Sequence, residues 1–425
     1  MQKHRSFSMI TILFFAIILS VLLTWIIRGN NPQTVSVIEG RTLGKFYTAG
    51  MDIRRAAGRL YRGKPASALE ALQNLIKTRS DQKLIEAAAS DQFPLRLTFI
   101  KAAKAIDRQV IKLAYLLLPD PAIPADMQSV IYVMRDESAL IYAPYLFNED
   151  TPDMIDHQIQ NFQTLIDTYP DINFLAYQVE MLNYSAHHPL NPYIPESDNG
   201  RSLAYFENNL PEGLSFAKMD LADLDEFMQD FYRTDVHWNI NGVIKAYGQI
   251  YHLLEQAYPN ISPRLEFEEV ISVPDIEFLG TMPRASFYPI KGDVLEGVIT
   301  NLPEYRVYVN GEEIQYDRSQ VYYDGQYSKD PYYYHFTEFF GTNLAFQEYV
   351  FENNSIRNLL LVGNSFKIPL QPFIAYHYKH TYSINPSLYG KFVLSDFLTQ
   401  YQIDDVLFLS DNNMLFLDEN LSIAP

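Results

Sequence analysis

Cysteine is absent from this 425-residue chain. That excludes disulfides, thiol nucleophiles, cysteine-type zinc sites and a thioether-linked lipid anchor, so covalent chemistry must run through oxygen or nitrogen nucleophiles. Basic charge is scarce as well, with 33 Lys and Arg against 51 Asp and Glu and a formal net charge of −18. Nucleic acid is therefore excluded as a partner, because gripping a phosphate backbone takes a clustered basic field that this balance does not supply. Glycine and proline, at 18 and 24 residues, are too few for a collagen-like or disordered chain. What is abundant is apolar: 48% of residues are hydrophobic and 14% aromatic, ample for a large core. At roughly 150 residues per domain the length fits two to three units, or one α/β domain with an appendage.

Ser6 to Ile27 is an uncharged apolar run of 22 residues. At 1.5 Å per residue it is long enough for a hydrocarbon core of about 30 Å. It exceeds the apolar region of a cleavable signal and runs through Leu23-Thr24-Trp25-Ile26-Ile27 into Arg28 without a small-residue cleavage site. Residues 1–28 thus read as a cytoplasmic tip and an uncleaved transmembrane signal anchor. Lys3, His4 and Arg5 precede the span and only Arg28 directly follows it, which places the N-terminus in the cytoplasm and the rest outside the cell membrane. That outer part holds 30 basic and 51 acidic residues, a balance of −21.

Residues 29–125 read as a helical juxtamembrane region, with helices expected over 52–61, 65–78, 80–89 and 95–118. The last places Leu97, Ile100, Ala103, Val110, Leu113 and Leu117 at amphipathic spacing, and Pro119, Pro121 and Pro124 close it. Residues 126–425 alternate short β-branched runs with helices, which predicts an α/β domain with a central parallel sheet. The expected strands are 129–134, 140–142, 172–179, 359–362 and 406–409, and the expected helices 155–168 and 242–258, the latter capped by Asn239 or Asn241. Residues 292–324 read as a β insertion with a turn at Val309-Asn310-Gly311.

Two segments can carry chemistry. In Thr234-Asp235-Val236-His237-Trp238 an extended backbone puts Asp235 and His237 on one side, so the carboxylate can orient Nδ1 and leave Nε2 free as a base. In Leu361-Val362-Gly363-Asn364-Ser365-Phe366 a serine follows a buried strand at a glycine-containing turn, where its Oγ can be exposed at the carboxyl edge of the sheet. His187-His188 with Asp198 lacks the spacing of a metal site, and no metal or other cofactor is expected. A tyrosine cluster at 322–334 suits either sugar stacking or packing.

Together, Thr-Asp-Val-His-Trp before a glycine-started helix, Gly341-Thr342-Asn343 and Leu-Val-Gly-Asn-Ser-Phe at 361–366 resemble the DHHW-motif proteins, relatives of the alginate O-acetylation proteins in the SGNH hydrolase superfamily. The resemblance covers roughly residues 126–425. It implies an SGNH-like parallel sheet flanked by helices, with Ser365 as nucleophile, His237 as general base and Asp235 as the residue orienting it. It also implies that Gly341, Asn343 and Gly363 stabilise an oxyanion or position substrate, with Trp238 and Tyr334 as further substrate contacts. The sequence departs from the family at Asn364, where aspartate is usual, and at Val236, where a second histidine is common. The implied activity is a membrane-anchored, outward-facing O-acetyltransferase or acetylesterase acting on envelope or secreted polysaccharide, its acetyl donor supplied by a membrane acyl-exporting partner. The alternative is an inert glycan-binding or envelope-assembly protein of the same fold.

Overall fold

The computed structural model describes residues 35–36, 41–43, 91, 95–128, 130–273, 275–314, 327–389, 392–411 and 421–422. The chain divides into two units, residues 1–109 and 110–425. The expected membrane span at Ser6–Ile27 and the helices expected at 52–61, 65–78 and 80–89 lie outside the described residues. Among the described residues, no helix is long and apolar enough to cross a membrane. In the first unit Val35–Ser36 pairs antiparallel with Arg41–Thr42. Helix Arg96–Ala114 forms where amphipathic spacing predicts it, but of its residues only Ile111 is buried, while Val110 and Leu113 stay exposed.

In the larger unit, Ala122–Pro124, Ile131–Met134 and Leu140–Tyr142 form a separate antiparallel meander. The segments expected at 129–134 and 140–142 therefore do not join the parallel sheet. The physical reason is the connection between them, far shorter than the dozen or so residues a parallel crossover requires. Ile111, Ile123, Ile131, Val133 and Leu140 share a small core with Met282 and Tyr288.

The central sheet holds β1 (Asn173–Gln178), β2 (Leu214–Lys218), β3 (Tyr305–Val309), β4 (Glu312–Ile314), β5 (Phe346–Phe351), β6 (Asn358–Gly363), β7 (His380–Ile384) and β8 (Asp405–Ser410). Their spatial order is β4-β3-β5-β7-β6-β8-β1-β2. From β7 to β2 the pairs are parallel; β5, β3 and β4 extend the sheet antiparallel. The β3–β4 hairpin lies within the expected insertion, and its turn falls at Asn310-Gly311, both at positive φ (52° and 82°), which suits Asn-Gly.

Period-two alternation explains why these runs are strands. Leu175, Tyr177, Leu359, Leu361, Leu407 and Leu409 belong to one core, and Phe174, Ala176, Leu360, Val362, Val406 and Phe408 to another. The first core is covered by α2 (Ile240–Ala257), the second by α1 (Thr151–Thr168). Each fully buried Leu or Phe contributes roughly 1.5–3 kcal/mol. Asn239 caps α2, its Oδ1 accepting from the Asn241 and Gly242 N–H groups at 2.9 and 3.4 Å. At the amino ends of the strands, buried Asp405 takes a two-pronged contact from Arg357 and a hydrogen bond from Asn173. The carboxyl ends are left to carry the site, the usual arrangement in an open α/β sheet.

Candidate active site

The Thr234–Trp238 segment is a bent loop, not the extended one expected. Phe231 and Trp238 bridge across it, the Tyr232 N–H donates to the His237 carbonyl at 3.1 Å, and Asp235 Oδ1 accepts the His237 N–H at 3.2 Å. This Asx-type turn folds the two side chains together just as a strand would, bringing Asp235 Oδ1 to 2.5 Å from His237 Nδ1. Asp293 pins the loop, its Oδ2 accepting from Thr234 N–H and Oγ1 at 2.9 and 2.6 Å. Helix α3 (Thr281–Ser286) delivers the Thr281 N–H to Asp235 Oδ2 at 2.7 Å. Glycine is required just before it, because a Cβ on Gly280 would lie 2.4 Å from the Asp235 Cβ.

Burial alone would raise the Asp235 carboxyl. The neighbouring charge and hydrogen bond of His237 and the N–H groups of Thr281 and His237 outweigh burial and hold it down at about 2. Asp235 is thus ionised across the physiological range, and by accepting at Nδ1 it leaves Nε2 as the free face of the imidazole.

Ser365 comes to that face. It follows β6 and Asn364 and opens a 3₁₀ turn (Ser365–Leu370) that runs into helix Gln371–Ala375, where Pro372 occupies the first turn that proline tolerates. His237 Nε2 lies 2.8 Å from Ser365 Oγ. One chain of hydrogen bonds therefore joins Asp235, His237 and Ser365, across 128 residues of sequence at its last link. Asn364 uses both ends of its amide: Oδ1 accepts the Phe366 N–H and Nδ2 donates to Asp411 Oδ1, both at 3.1 Å. An aspartate could not donate there and would face a second carboxylate, so the amide fits where the related motif has an acid.

The other expected site residues separate. Gly363 is glycine for packing, since a Cβ there would sit 2.0 Å from the Leu409 carbonyl oxygen. Trp238 is fully buried and meets Phe366 edge-on at 5.4 Å, so it supports the site from beneath and is not a substrate contact. Tyr334 precedes α4 (His335–Phe340), and its ring carries the Arg284 guanidinium at 4.5 Å. Gly341, at φ 102°, and Asn343 lie on the exit loop of α4, and among the described residues neither hydrogen-bonds Asp235, His237 or Ser365. His188 spends both ring nitrogens locally, on the Tyr142 carbonyl at 2.8 Å and the Leu190 N–H at 3.1 Å.

Several site residues had no motif to announce them. Phe336 of α4 stacks on His237 with centroids 4.1 Å apart and an interplanar angle of 17°. Lys367, two residues after the serine, is fully buried, donating to Ser383 Oγ at 2.8 Å and Gln371 Oε1 at 3.2 Å, with no carboxylate among these partners. Burial draws its ammonium down to about 7. Between about pH 7 and 10 the unfolded chain binds the extra proton, so stability rises with pH over that window and is flat below it. Wild type should gain about 1.4 kcal/mol per pH unit over Lys367→Met in that range, by denaturant unfolding at several pH values. Parallel stability curves for the two proteins would contradict this.

No protein-family profile and no curated protein matches the chain. Solved structures do. Bacillus cereus PatB1 matches at 18% identity over 68% of this chain and 99% of its own, with a TM-score of 0.55. Its structure with a sulfonyl adduct gives 17% identity, 69% and 98% coverage, and a TM-score of 0.53. A DHHW family protein from Eubacterium siraeum gives 15% identity, 73% and 98% coverage, and a TM-score of 0.51. The chain shares their fold. The resemblance drawn from the motifs thus holds for the architecture: a large, mostly parallel sheet flanked by helices, as in a DHHW family protein.

Proposed function

We propose that this chain is an SGNH-type serine O-acetyltransferase or acetylesterase, anchored in the membrane by residues 6–27 with the α/β domain outside the cytoplasm. The observation that carries the reading is the 2.8 Å approach of His237 Nε2 to Ser365 Oγ, with Asp235 behind the imidazole. Ser365 Oγ attacks an acetyl carbonyl as His237 takes its proton. The tetrahedral intermediate then collapses, and the same proton goes to the departing alcohol. In the second half a sugar hydroxyl, or water, loses its proton to His237 and attacks the acyl-enzyme, and Ser365 leaves with that proton restored.

The Ser365 N–H, at the start of the 3₁₀ turn, is the proposed first donor to the oxyanion, with the Gly341–Asn343 loop as the candidate for a second. Asp235 keeps the imidazole in the tautomer this needs and stabilises the imidazolium that forms. Polysaccharide is the proposed acceptor, and a membrane acyl-exporting partner the proposed source of the acetyl group. The sulfonyl adduct of PatB1, which has the same fold, supports a reactive nucleophile in such a protein.

The test is incubation of the full-length chain with 4-nitrophenyl acetate, with and without an oligosaccharide acceptor. Release of nitrophenol with acetyl appearing on the sugar is the expected result. Release without acetyl-sugar identifies an esterase. A folded protein that releases nothing from this or other acetyl esters overturns the reading in favour of an inert binding protein.

A further inference from the structure

Lys367 belongs to the same 3₁₀ turn as Ser365, and its buried amine is fastened to the sheet by neutral side chains alone. Gln347 of β5 and Ser383 of β7 stand opposite each other on one face of the sheet, and Gln371 opens the helix that follows the turn. Lys367 Nζ donates to Ser383 Oγ at 2.8 Å and to Gln371 Oε1 at 3.2 Å. Gln347 Nε2 donates to the same Gln371 Oε1 at 2.8 Å, and so does the Ser383 hydroxyl. The Asn364–Asp411 hydrogen bond ties the start of the turn to the end of β8, and the Lys367 cluster ties its body to β7 and β5.

Counting donors and acceptors shows which form of the amine fits. An ammonium brings three N–H bonds to two acceptors, and one of these, Gln371 Oε1, then takes three hydrogen bonds on two lone pairs. A buried donor left short of an acceptor is costly. A neutral amine removes the excess: its lone pair accepts from the Ser383 hydroxyl, which rotates to suit, and Gln371 Oε1 keeps two donors. Nearby titratable groups are engaged elsewhere. Glu348, His380 and Tyr382 lie on the other face of β5 and β7, with Glu348 and His380 paired at 2.7 Å. Tyr349 packs with Tyr305 and Phe351, and His237 spends its ring nitrogens on Asp235 and Ser365.

We infer that Lys367 is a positioning residue for Ser365: as the neutral amine it fastens the nucleophile turn to β7, and its protonation loosens that turn and withdraws Ser365 from His237. This deepens the acyl-transfer reading and rests on it, adding a proton-operated control to the same site. Burial holds the ammonium down at about 7, which sets the changeover near neutral pH. The charged form gains as pH falls below that point, so the control switches activity off in acid.

The test follows 4-nitrophenyl acetate turnover from pH 5 to 8 in wild type and Lys367→Met, with circular dichroism at each pH to establish that both are folded. Titrations elsewhere are common to the two proteins and cancel in the ratio of their kcat values. That ratio, wild type over variant, should fall about tenfold or more from pH 8 to pH 5. Gln371→Glu sets a carboxylate against Nζ and keeps the ammonium paired in place. The ratio of wild type to Gln371→Glu should fall likewise, which keeps the test open if Lys367→Met does not fold. Ratios constant within about threefold across this range would overturn the inference. Should the chain turn over no ester, the acyl-transfer reading fails by itself, and amide hydrogen exchange over residues 365–371 decides about Lys367. Corrected for intrinsic rates, wild type should lose protection by about tenfold or more between pH 8 and 5, and Lys367→Met should not. Unchanged protection in wild type, or an equal loss in both proteins, would overturn the assignment.

Discussion

Ser365→Ala and His237→Ala should each lower acetyl-ester turnover by about 10⁴–10⁶-fold, the range expected where nucleophile and base act as one unit. The two losses should not add: the double variant should be about as impaired as either single one, because each removes the same proton transfer. Asp235→Asn should cost roughly 10⁴-fold, since an amide facing Nδ1 can stabilise the wrong tautomer. These effects should appear in kcat with little change in unfolding temperature for Ser365→Ala, whose Oγ contributes one hydrogen bond. The pH profile adds a separate check. The Asp235 carboxyl is held at about 2, so the activity profile should show no step from Asp235 anywhere between pH 4 and 9. Nitrophenol release from purified proteins over pH 4–9 measures all of this. Turnover in Ser365→Ala equal to wild type would place the chemistry elsewhere.

The second large effect falls on the fold. In Gly363→Ala the new methyl would sit 2.0 Å from the Leu409 carbonyl oxygen, which belongs to the neighbouring strand backbone and cannot rotate aside. β6 and β8 would have to separate at the end that carries Ser365. We expect a loss of at least about 3 kcal/mol, at the upper end of what overpacking causes. In a unit the size of residues 110–425 that corresponds to a fall in unfolding temperature of about 4–5 °C. Differential scanning calorimetry decides the point, and a change within about 2 °C would show that the strands tolerate the methyl. Activity should fall further than stability, because the displaced segment positions the nucleophile.

The parts of this structure that could be read in advance were those with local causes. β1, β6 and β8 are short apolar runs bounded by turn residues, and α2 has both its cap and its apolar face written in order. The Asp235–His237 and Ser365 segments were legible as chemistry, although the first reaches its geometry through an Asx turn and not through an extended strand. The short connection between the 131–134 and 140–142 strands already rules out a parallel pair, but the alternation of apolar residues does not name Ala122–Pro124 as their partner among the described residues. Nor could it show that Trp238 lies beneath the site, since aromatic character suits a core and a sugar-binding surface equally. Phe336, Thr281, Arg284 and Lys367 were invisible for a further reason: each reaches its neighbours through long-range packing, and Thr281 acts through a backbone N–H that every non-proline residue has. Asn364 reads as a departure from a motif until Asp411 is found beside it.

The central claim is that Ser365 is a nucleophile activated by His237. Intact-protein mass spectrometry after brief exposure to an aryl sulfonyl fluoride, followed by peptide mapping, tests it most directly. Ser365 Oγ would form a bond to sulfur as fluoride leaves and His237 takes the proton. The account predicts a single adduct, mapped to Ser365, that is absent from Ser365→Ala and strongly slowed in His237→Ala. An unmodified folded protein, or an adduct that persists in Ser365→Ala, would contradict it.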